Sequence, residues 1–349
     1  MTARLHLRSL RPEDLPATWP DLALDAKMSR RIIGRVVARD SDDLDAIEGV
    51  AKWKIALLKE RSTLDRLETV DRRVSQADGF AKYLFRSPLG GIFETVRIPL
   101  LEPRWSACVS SQVGCALACD FCETGRLGFS RNLEPWEIVE QVLTIRREAP
   151  ERPLTGVVFQ GQGEPFHNYD NVIRAAEILR HPVAGQIGGD RMTISTVGLL
   201  PQIERYTAER HPYRLILSLT SAFDEKRSRL MPVGRTWSVA ELAAAMIRHA
   251  KSRNDLVHLA WVLMAGENTD PAEAREIRKV FGDVPIRVHV IDVNDVGGKY
   301  QRAGDAERGA FLGALAAERI SFVRRYSGGS DIHAACGMLA SRSTGGVAL

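Results

Sequence analysis

The stretch CVSSQVGCALACDFCETGRLGFSRNL, residues 108–133, holds four of the five cysteines of this 349-residue chain. Within it Cys115, Cys119 and Cys122 follow a C-x3-C-x2-C spacing, whereas the fifth cysteine, Cys336, lies near the end of the sequence. No secretory leader is recognisable at the N-terminus, and a disulfide framework is not expected in a long chain without one. The cysteines therefore indicate metal binding or thiol chemistry.

The spacing of the cysteines favours an iron-sulfur site. Three thiolates from one tight loop suit three irons of a four-iron, four-sulfur (4Fe-4S) cluster and leave the fourth iron open to bind a substrate. Zinc is an alternative, but it takes four ligands and would have to recruit Cys108 or a histidine such as His333. Ordinary buried thiols are the third interpretation.

From about Trp105 onward, the sequence around the cysteines predicts βα units, because short β-branched runs alternate with segments of helical period. Such units form a doubly wound sheet or a barrel, with active groups at the carboxyl ends of the strands. Six units are expected, with strands at residues 106–110, 156–160, 192–196, 215–219, 258–264 and 287–291 and an additional strand at 321–325. The helices are expected from near Glu134 onward and at residues 171–180, 200–208, 239–251, 271–281 and 306–319.

The residues before the first βα unit predict a smaller unit and a hairpin. Residues 28–68 are expected to be helical, and residues 79–99 to form a hairpin around Gly90 and Gly91. We interpret residues 1–74 as an N-terminal accessory domain. Residues 75–349 then form a barrel with its preceding hairpin and a C-terminal segment that carries Cys336.

The composition fits a globular protein, with 44% hydrophobic and 26% charged residues. The sequence has no uninterrupted apolar run of about 18 residues or more, so we expect a cytoplasmic monomer without a membrane span. A formal net charge of +4 permits a polyanionic partner without requiring one. Lys226, Arg227 and Arg229 are candidates to face such a partner, and a solvated helix face is the alternative interpretation of these residues.

Two distant motifs carry a family resemblance. Residues 108–133 and SDIHAACGMLA, residues 330–340, resemble the radical S-adenosylmethionine (SAM) RNA adenine methyltransferases of the RlmN/Cfr family. The similarity covers residues 30–342 with gaps. It also includes the segments DGFAKYLF, FETVRIP, VFQGQGEPFHNYDNV, ISTVGLLP and LILSLTS. The resemblance implies an α/β fold, a partial (β/α)6 radical SAM barrel, with the chain as a divergent member of the family.

The resemblance also implies cofactors and the residues that hold them. One 4Fe-4S cluster is expected on Cys115, Cys119 and Cys122, and two SAM molecules are consumed per turnover. Phe121 is expected to pack against the cluster or the adenine of SAM. The residues expected to bind SAM are Gly163, Glu164, Ser195, Ser218, Leu219, Thr220 and Asn294.

The mechanism implied by the resemblance uses the two remaining cysteines. The target carbon of adenine is electrophilic, so it cannot attack SAM directly, and a radical route avoids this obstacle. Cys336 is expected to carry the methyl group, and Glu94 to accept a proton. Cys108 is expected to release the product by attacking Cys336, which leaves a transient disulfide. The implied partners are ribosomal or transfer RNA and a cytosolic electron donor such as flavodoxin or ferredoxin.

Some positions depart from the family pattern. Thr220 stands where the family has histidine, and residues 292–295 replace a proline-rich segment. Alternatives to RNA methylation are the same radical chemistry on a small molecule or peptide, and a non-catalytic zinc or iron-sulfur module that binds RNA. The sequence leaves open which RNA is modified and whether carbon 2 or carbon 8 receives the methyl group.

Overall fold

The fold is an open, mostly parallel sheet flanked by helices, in a computed structural model that describes residues 4–101, 103–294 and 298–340. In chain order the strands are β1 (Leu5–His6), β2 (Ser62–Thr63), β3 (Glu68–Val74), β4 (Ala81–Arg86), β5 (Ile92–Pro99), β6 (Trp105–Val109), β7 (Gln112–Gly114), β8 (Phe129–Asn132), β9 (Leu154–Phe159), β10 (Met192–Thr196), β11 (Arg214–Ser218), β12 (Val257–Leu263), β13 (Ile286–Asp292) and β14 (Ser321–Arg325). The helices are α1 (Leu15–Thr18), α2 (Ala26–Ile33), α3 (Lys52–Arg61), α4 (Glu123–Arg126), α5 (Pro135–Glu148), α6 (Tyr169–Arg180), α7 (Leu200–Glu209), α8 (Asp224–Leu230), α9 (Val239–Arg253), α10 (Pro271–Phe281) and α11 (Asp305–Ala317). No described helix is both long and apolar enough to cross a lipid bilayer.

Ten strands form the main sheet, in the order β14-β13-β12-β11-β10-β9-β6-β5-β4-β3. The seven strands from β6 to β14 are parallel and follow the chain, so successive βα units add one strand at a time. This sequential order with an open end is the arrangement expected of a partial barrel. The predicted α/β class and the βα units are confirmed, with strand bounds that differ by at most two residues.

The first barrel helix shows why its local sequence folds as expected. Pro135 occupies the first turn of α5, and the side chains of Glu134 and Glu137 cap each other's backbone N–H groups. The apolar residues Ile138, Val142 and Ile145 repeat at helical spacing and are completely buried. α5 therefore packs against β6, the strand that precedes the cysteine loop, and against β9.

The expected helix over residues 28–68 is wrong, because only α2 and α3 are α-helical there. After α2 the chain forms one π-helical turn, Gly34–Ala38, and then runs irregularly to α3. The reason is an acidic segment whose side chains bind backbone groups: the Asp43 carboxylate accepts the N–H groups of Asp45 and Ala46. Such bonds compete with helical hydrogen bonds.

The N-terminal residues pack directly on the barrel helices. The His6 ring stacks on Trp136 of α5 at 4.3 Å between ring centroids, and Arg11 pairs with Glu177 of α6 at 3.0 Å. β3, which the sequence assigns to the N-terminal unit, is the edge strand of the main sheet. The boundary near Val74 stays a prediction.

The predicted hairpin is confirmed as β4 and β5, which pair in antiparallel register. Gly91 closes the turn at φ +90°, a backbone conformation that favours glycine. β5 in turn pairs with β6, where Val96 lies opposite Cys108. The hairpin thus forms one wall beside the cysteine-bearing strand.

Candidate active site

A cavity of about 200 Å³ lies at the carboxyl ends of the parallel strands and brings all five cysteines together. The loop cysteines Cys115, Cys119 and Cys122 line one side, and Cys108 and Cys336 line another. Within the described residues, no set of three or more His, Cys, Asp or Glu side chains is arranged to hold a single metal ion.

The conformation of the cysteine loop depends on a glycine and on backbone bonds. Gly114 has φ +75°, and a Cβ atom at this position would lie 1.9 Å from the Gly128 carbonyl oxygen. That close approach allows the Cys115 N–H to donate to the same carbonyl at 2.8 Å. The Cys122 N–H donates to the Cys119 carbonyl at 3.0 Å, so the loop turns back on itself between its second and third thiols.

The C-terminal segment closes over this loop. The Glu123 N–H donates to the carbonyl of Gly337 at 2.8 Å, and the Thr124 hydroxyl donates to the carbonyl of Leu339 at 2.8 Å. These bonds join residues more than 200 positions apart and fix Cys336 beside the loop. The sequence gives no signal for these two contacts.

The loop thiols are partly buried. Burial raises the pKa of Cys115 to about 11 and raises the pKa of Cys119 well above its ordinary value, and negative charge on the neighbouring loop thiols adds to both increases. Thiols that resist ionisation when bare are stabilised as thiolates by a bound metal. Three soft sulfur donors on one wall, without a fourth loop cysteine, therefore fit an iron-sulfur cluster with one open iron.

Glu164 and Gly163 lie on the cavity wall after β9. The Glu164 carboxylate accepts hydrogen bonds from the Thr196 hydroxyl at 2.6 Å and from the N–H groups of Val197 at 3.0 Å and Phe166 at 3.0 Å. Burial nevertheless raises its pKa to about 7. A cationic group bound in the cavity would therefore favour the carboxylate form.

Of the residues at the ends of β10 and β11 that were expected to bind SAM, some line the cavity and one is buried in the core. Ser218 and Thr220 line the cavity, and the Ser195 hydroxyl lies 3.2 Å from that of Ser218. Thr220 has φ +61°, and its buried hydroxyl has no hydrogen-bond partner among the described residues. Leu219 is completely buried in the hydrophobic core, so its side chain does not reach the cavity and only its backbone could serve a ligand.

Asn294 belongs to a hydrogen-bond network around Cys336. Its amide nitrogen donates to the Cys336 carbonyl at 3.0 Å and to the Ser327 hydroxyl at 3.1 Å. Ser327 also accepts the Cys336 N–H at 2.8 Å, and Arg302 donates to the Asn294 side-chain oxygen at 2.5 Å. Asn294 also lines the cavity, so its expected contact with SAM stays a prediction. Asp295, the last residue of the divergent segment, lies outside the described residues.

Cys108 and Cys336 are free thiols that face the same space, and all five cysteines are free. The disulfide expected from the resemblance is thus absent from this structure. Burial raises the pKa of both thiols, and the hydrogen bond from Ser327 partly opposes this effect at Cys336. Cys336 is exposed, and it lines the cavity.

Glu94 is completely buried on β5 and does not line the cavity. It pairs with Lys82 of β4 at 2.8 Å, and it stands two residues before Val96, the partner of Cys108 across the sheet. Alternation along β5 therefore directs Glu94 and Cys108 to the same face of the sheet. Lys82 was not anticipated from the sequence.

The expectation that the basic residues of α8 face a polyanionic partner is wrong for Arg227, and it stays a prediction for Lys226 and Arg229. Arg227 is buried, donates to the Val197 carbonyl and has a pKa lowered to about 10 by burial. Lys226 pairs with the buried Glu273 at 2.7 Å, and Arg229 pairs with Glu267 at 2.5 Å. Phe121 does line the cavity and packs in the adjoining apolar cluster.

The sequence is similar to that of known radical SAM proteins and RNA methyltransferases. A family model described as the Radical SAM superfamily matches residues 109–276. A "Probable RNA methyltransferase" of Myxococcus xanthus (strain DK1622) is 42% identical over 348 residues, 99% of this chain and 97% of the relative. The "Dual-specificity RNA methyltransferase RlmN" of Syntrophotalea carbinolica is 35% identical over 345 residues, 98% of this chain and 91% of the relative.

A solved structure shares both the fold and the sequence. The radical SAM methyltransferase from Sphaerobacter thermophilus superposes with a TM-score of 0.89 at 33% identity, covering 97% of this chain and 100% of that one. Full-length similarity at this level confirms the family resemblance noted from the cysteine motifs. The chain therefore belongs to the radical SAM superfamily and, within it, to the RlmN/Cfr methyltransferase family.

Proposed function

We propose that this enzyme methylates a carbon atom of adenine in RNA, with Cys336 as the methyl carrier. The observation that carries the proposal is the convergence of the three loop thiols, Cys108 and Cys336 on one cavity at the carboxyl ends of the strands. An ordinary SAM methyltransferase needs neither the loop thiols nor two further cysteines beside them.

Family membership implies a 4Fe-4S cluster and SAM. Cys115, Cys119 and Cys122 would hold the cluster, and Glu164, Ser218 and the unpartnered Thr220 hydroxyl offer polar groups for the amino-acid and ribose parts of SAM. When bound, the two groups supply an electrophilic methyl group and a primary carbon radical. Two SAM molecules per turnover follow, because the methyl group and the radical come from separate molecules.

Cys336 would accept the methyl group on its sulfur and then lose a hydrogen atom from that methyl group. The resulting methylene radical would form a bond to the target carbon of adenine. Asn294 and Ser327 hold the backbone of Cys336 on both sides, which keeps the sulfur in one place through both steps. Such positioning of the reacting group lowers the entropic part of the barrier.

Cys108 and Glu94 would complete the reaction. The adduct formed by the radical must lose one electron, which would return to the iron-sulfur group that supplied it, and one proton, which Glu94, held by Lys82, is proposed to take. The Cys108 thiolate would then attack the Cys336 sulfur. The bond between that sulfur and the product carbon breaks, and the carbon takes up a proton from solvent to become the methyl group. This step joins the two cysteine sulfurs until two electrons reduce them.

RNA is proposed as the substrate because the relatives of this chain carry RNA methyltransferase names. A flavodoxin or ferredoxin as the electron donor, a monomeric state and a cytoplasmic location belong to the same proposal. Neither ribosomal nor transfer RNA, and neither carbon 2 nor carbon 8, is favoured by the described residues. Radical methylation of a small molecule or peptide is the alternative outcome.

The test compares modified nucleosides in ribosomal and transfer RNA from cells with and without this protein. We expect 2-methyladenosine or 8-methyladenosine to disappear from one RNA class when the gene is deleted, and to return with the wild-type gene but not with a Cys336→Ala variant. Unchanged nucleosides in every RNA class would contradict RNA as the substrate.

A further inference from the structure

A second cavity lies behind the two reactive cysteines. It measures about 410 Å³ and extends from the amino ends of the parallel strands, near Ser106 and Thr193, up to Cys108 and Cys336. We call it the basal cavity, and its basic lining consists of Arg104, Arg191, Arg214, His289 and Arg325. Cys108 and Cys336 line both cavities, so they stand between the proposed active site and this second space.

The basal cavity is strongly basic. No acidic side chain is found among the described residues that line it. Arg191, Arg214 and Arg325 form no ion pair with a carboxylate within 4.0 Å in the described part of the chain, whereas many other arginines, such as Arg66, do. A cavity with several uncompensated positive charges is suited to an anion.

The interior of a parallel barrel is usually filled by branched apolar side chains. Here Gly156 and Ala260 leave room, and Arg214 begins β11 and points into the space that remains. Burial and the neighbouring Arg214 charge both lower the pKa of Arg325. Arg325 is exposed and Arg214 is half-buried, so solvent screens part of the repulsion between these like charges, and a bound anion would reduce it further.

A hydrogen-bonded chain fixes one of the arginines. Arg325 donates from Nε to His289 Nδ1 at 3.0 Å, and His289 Nε2 lies 3.1 Å from His258 Nδ1. Because Arg325 can only donate, neutral His289 carries its proton on Nε2 and donates to His258. The bond uses only Nε, so the two terminal nitrogens of Arg325 are available to a ligand.

We propose that the basal cavity binds a small acidic thiol of the glutathione class, with its carboxylates on Arg191, Arg214 and Arg325 and its sulfur at the Cys108–Cys336 pair. This inference rests on the proposed function, in which each turnover joins these two sulfurs. The cavity volume falls in the range that holds small organic ligands. Access from the base would also leave the RNA and SAM side undisturbed.

The chemistry balances with two thiol molecules. The first thiolate attacks one sulfur of the Cys108–Cys336 bond, forms a mixed disulfide with that cysteine and releases the other cysteine as a thiolate. The second thiolate attacks the mixed disulfide and leaves as the oxidised dimer of the small thiol. Two electrons pass from the two small thiols to the two cysteines, which are then ready for another methyl transfer.

The first experiment measures binding alone. S-methylglutathione keeps both carboxylates but cannot react, so calorimetry with the cluster-loaded enzyme reports on the site independently of turnover. We expect binding that weakens with added salt, and about tenfold weaker binding in Arg214→Gln and Arg191→Gln. Arg275→Gln, at an exposed position on α10, is the matched control and should bind like the wild type. Absent binding, or equal binding in all three variants, would overturn the site.

The second experiment measures reduction after one turnover of the cluster-loaded enzyme. The measured quantity is the rate at which the Cys108–Cys336 disulfide is reduced to free cysteine thiols. Glutathione is compared with the neutral 2-mercaptoethanol at equal thiolate concentrations. We expect glutathione to be about tenfold faster in the wild type, with this advantage lost in Arg214→Gln while the 2-mercaptoethanol rate stays unchanged. Equal rates for the two thiols would refute the acidic-thiol assignment. If no Cys108–Cys336 bond forms during turnover, the proposed function fails at its release step, and the binding experiment still decides whether the cavity is an anion site.

Discussion

Replacing Ser327 by alanine tests whether the network around Cys336 positions the methyl carrier. The Ser327 hydroxyl accepts two hydrogen bonds, from the Cys336 N–H at 2.8 Å and the Asn294 amide at 3.1 Å. Asn294 keeps a second acceptor in the Cys336 carbonyl, whereas the Cys336 N–H loses its acceptor. The substitution therefore removes the acceptor of the Cys336 N–H and the hydroxyl that hydrogen-bonds to the Cys336 thiol, a combined loss of about 1 to 2 kcal/mol.

We expect this loss to appear in the transition state for methylation of Cys336, because the sulfur must be held in line with the methyl donor. About 1.4 kcal/mol corresponds to a tenfold slower reaction, so methylation of Cys336 in Ser327→Ala should be slower by about five-fold to thirty-fold. The assay follows a deuterated methyl group from SAM into the peptide that contains Cys336, by mass spectrometry under single-turnover conditions.

Two further variants separate positioning from general destabilisation. Ser327→Thr keeps the hydroxyl and should restore most of the rate. Ser62→Ala removes a buried hydroxyl that donates to the Leu58 carbonyl far from the site, and it should lower stability by a similar amount without slowing methylation. The reasoning is refuted if Ser327→Ala methylates Cys336 at the wild-type rate, or if Ser62→Ala is slowed equally.

Three other perturbations test the site. Anaerobically reconstituted wild type should bind about four irons, and Cys119→Ala should lose the iron-sulfur absorbance; an unchanged spectrum would exclude a cluster on this loop. Gly114→Ala should lower iron content and stability more than Gly79→Ala. Both glycines have positive φ, but only at Gly114 would the added Cβ atom collide with a carbonyl oxygen, that of Gly128 at 1.9 Å. Equal effects of the two substitutions would show that this close approach is unimportant. Burial raises the Glu164 pKa to about 7, so the folded state binds the proton more tightly than the unfolded state. The thermal stability of the ligand-free wild type should therefore fall as pH rises from about 4.5 to about 7. This trend should be weaker in Glu164→Gln.

The βα units could be predicted because their signal is local. Met192–Thr196 and Ser321–Arg325 have the predicted bounds, since each is a short β-branched run between turn residues. The loop cysteines are equally local, because Gly114 and the three thiols lie within a few residues of one another. The helix expected over residues 28–68 failed because the side-chain bonds of Asp43 outweigh helical periodicity there.

The parts of the site that could not be predicted depend on contacts between distant segments. Nothing near Ser327 in the sequence marks it as the acceptor for Cys336, and Lys82 becomes the partner of Glu94 only through the β4–β5 register. For the charged residues of α8, the residue type suggested a surface position that the fold does not give to all of them. Arg227 looks like a surface residue by type, yet the fold buries it against the Val197 carbonyl beside the cavity.

The most direct test of the central claim is the fate of RNA in a Cys108→Ala variant. If Cys336 carries the methylene group to adenine and Cys108 releases it, the variant will form the bond to RNA and fail to break it. We expect a covalent protein-RNA adduct that maps to Cys336 by mass spectrometry after nuclease digestion, and no adduct in the Cys108→Ala, Cys336→Ala double variant. A Cys108→Ala enzyme that turns over normally and traps no RNA, together with an unmethylated Cys336 in active wild type, would contradict the account.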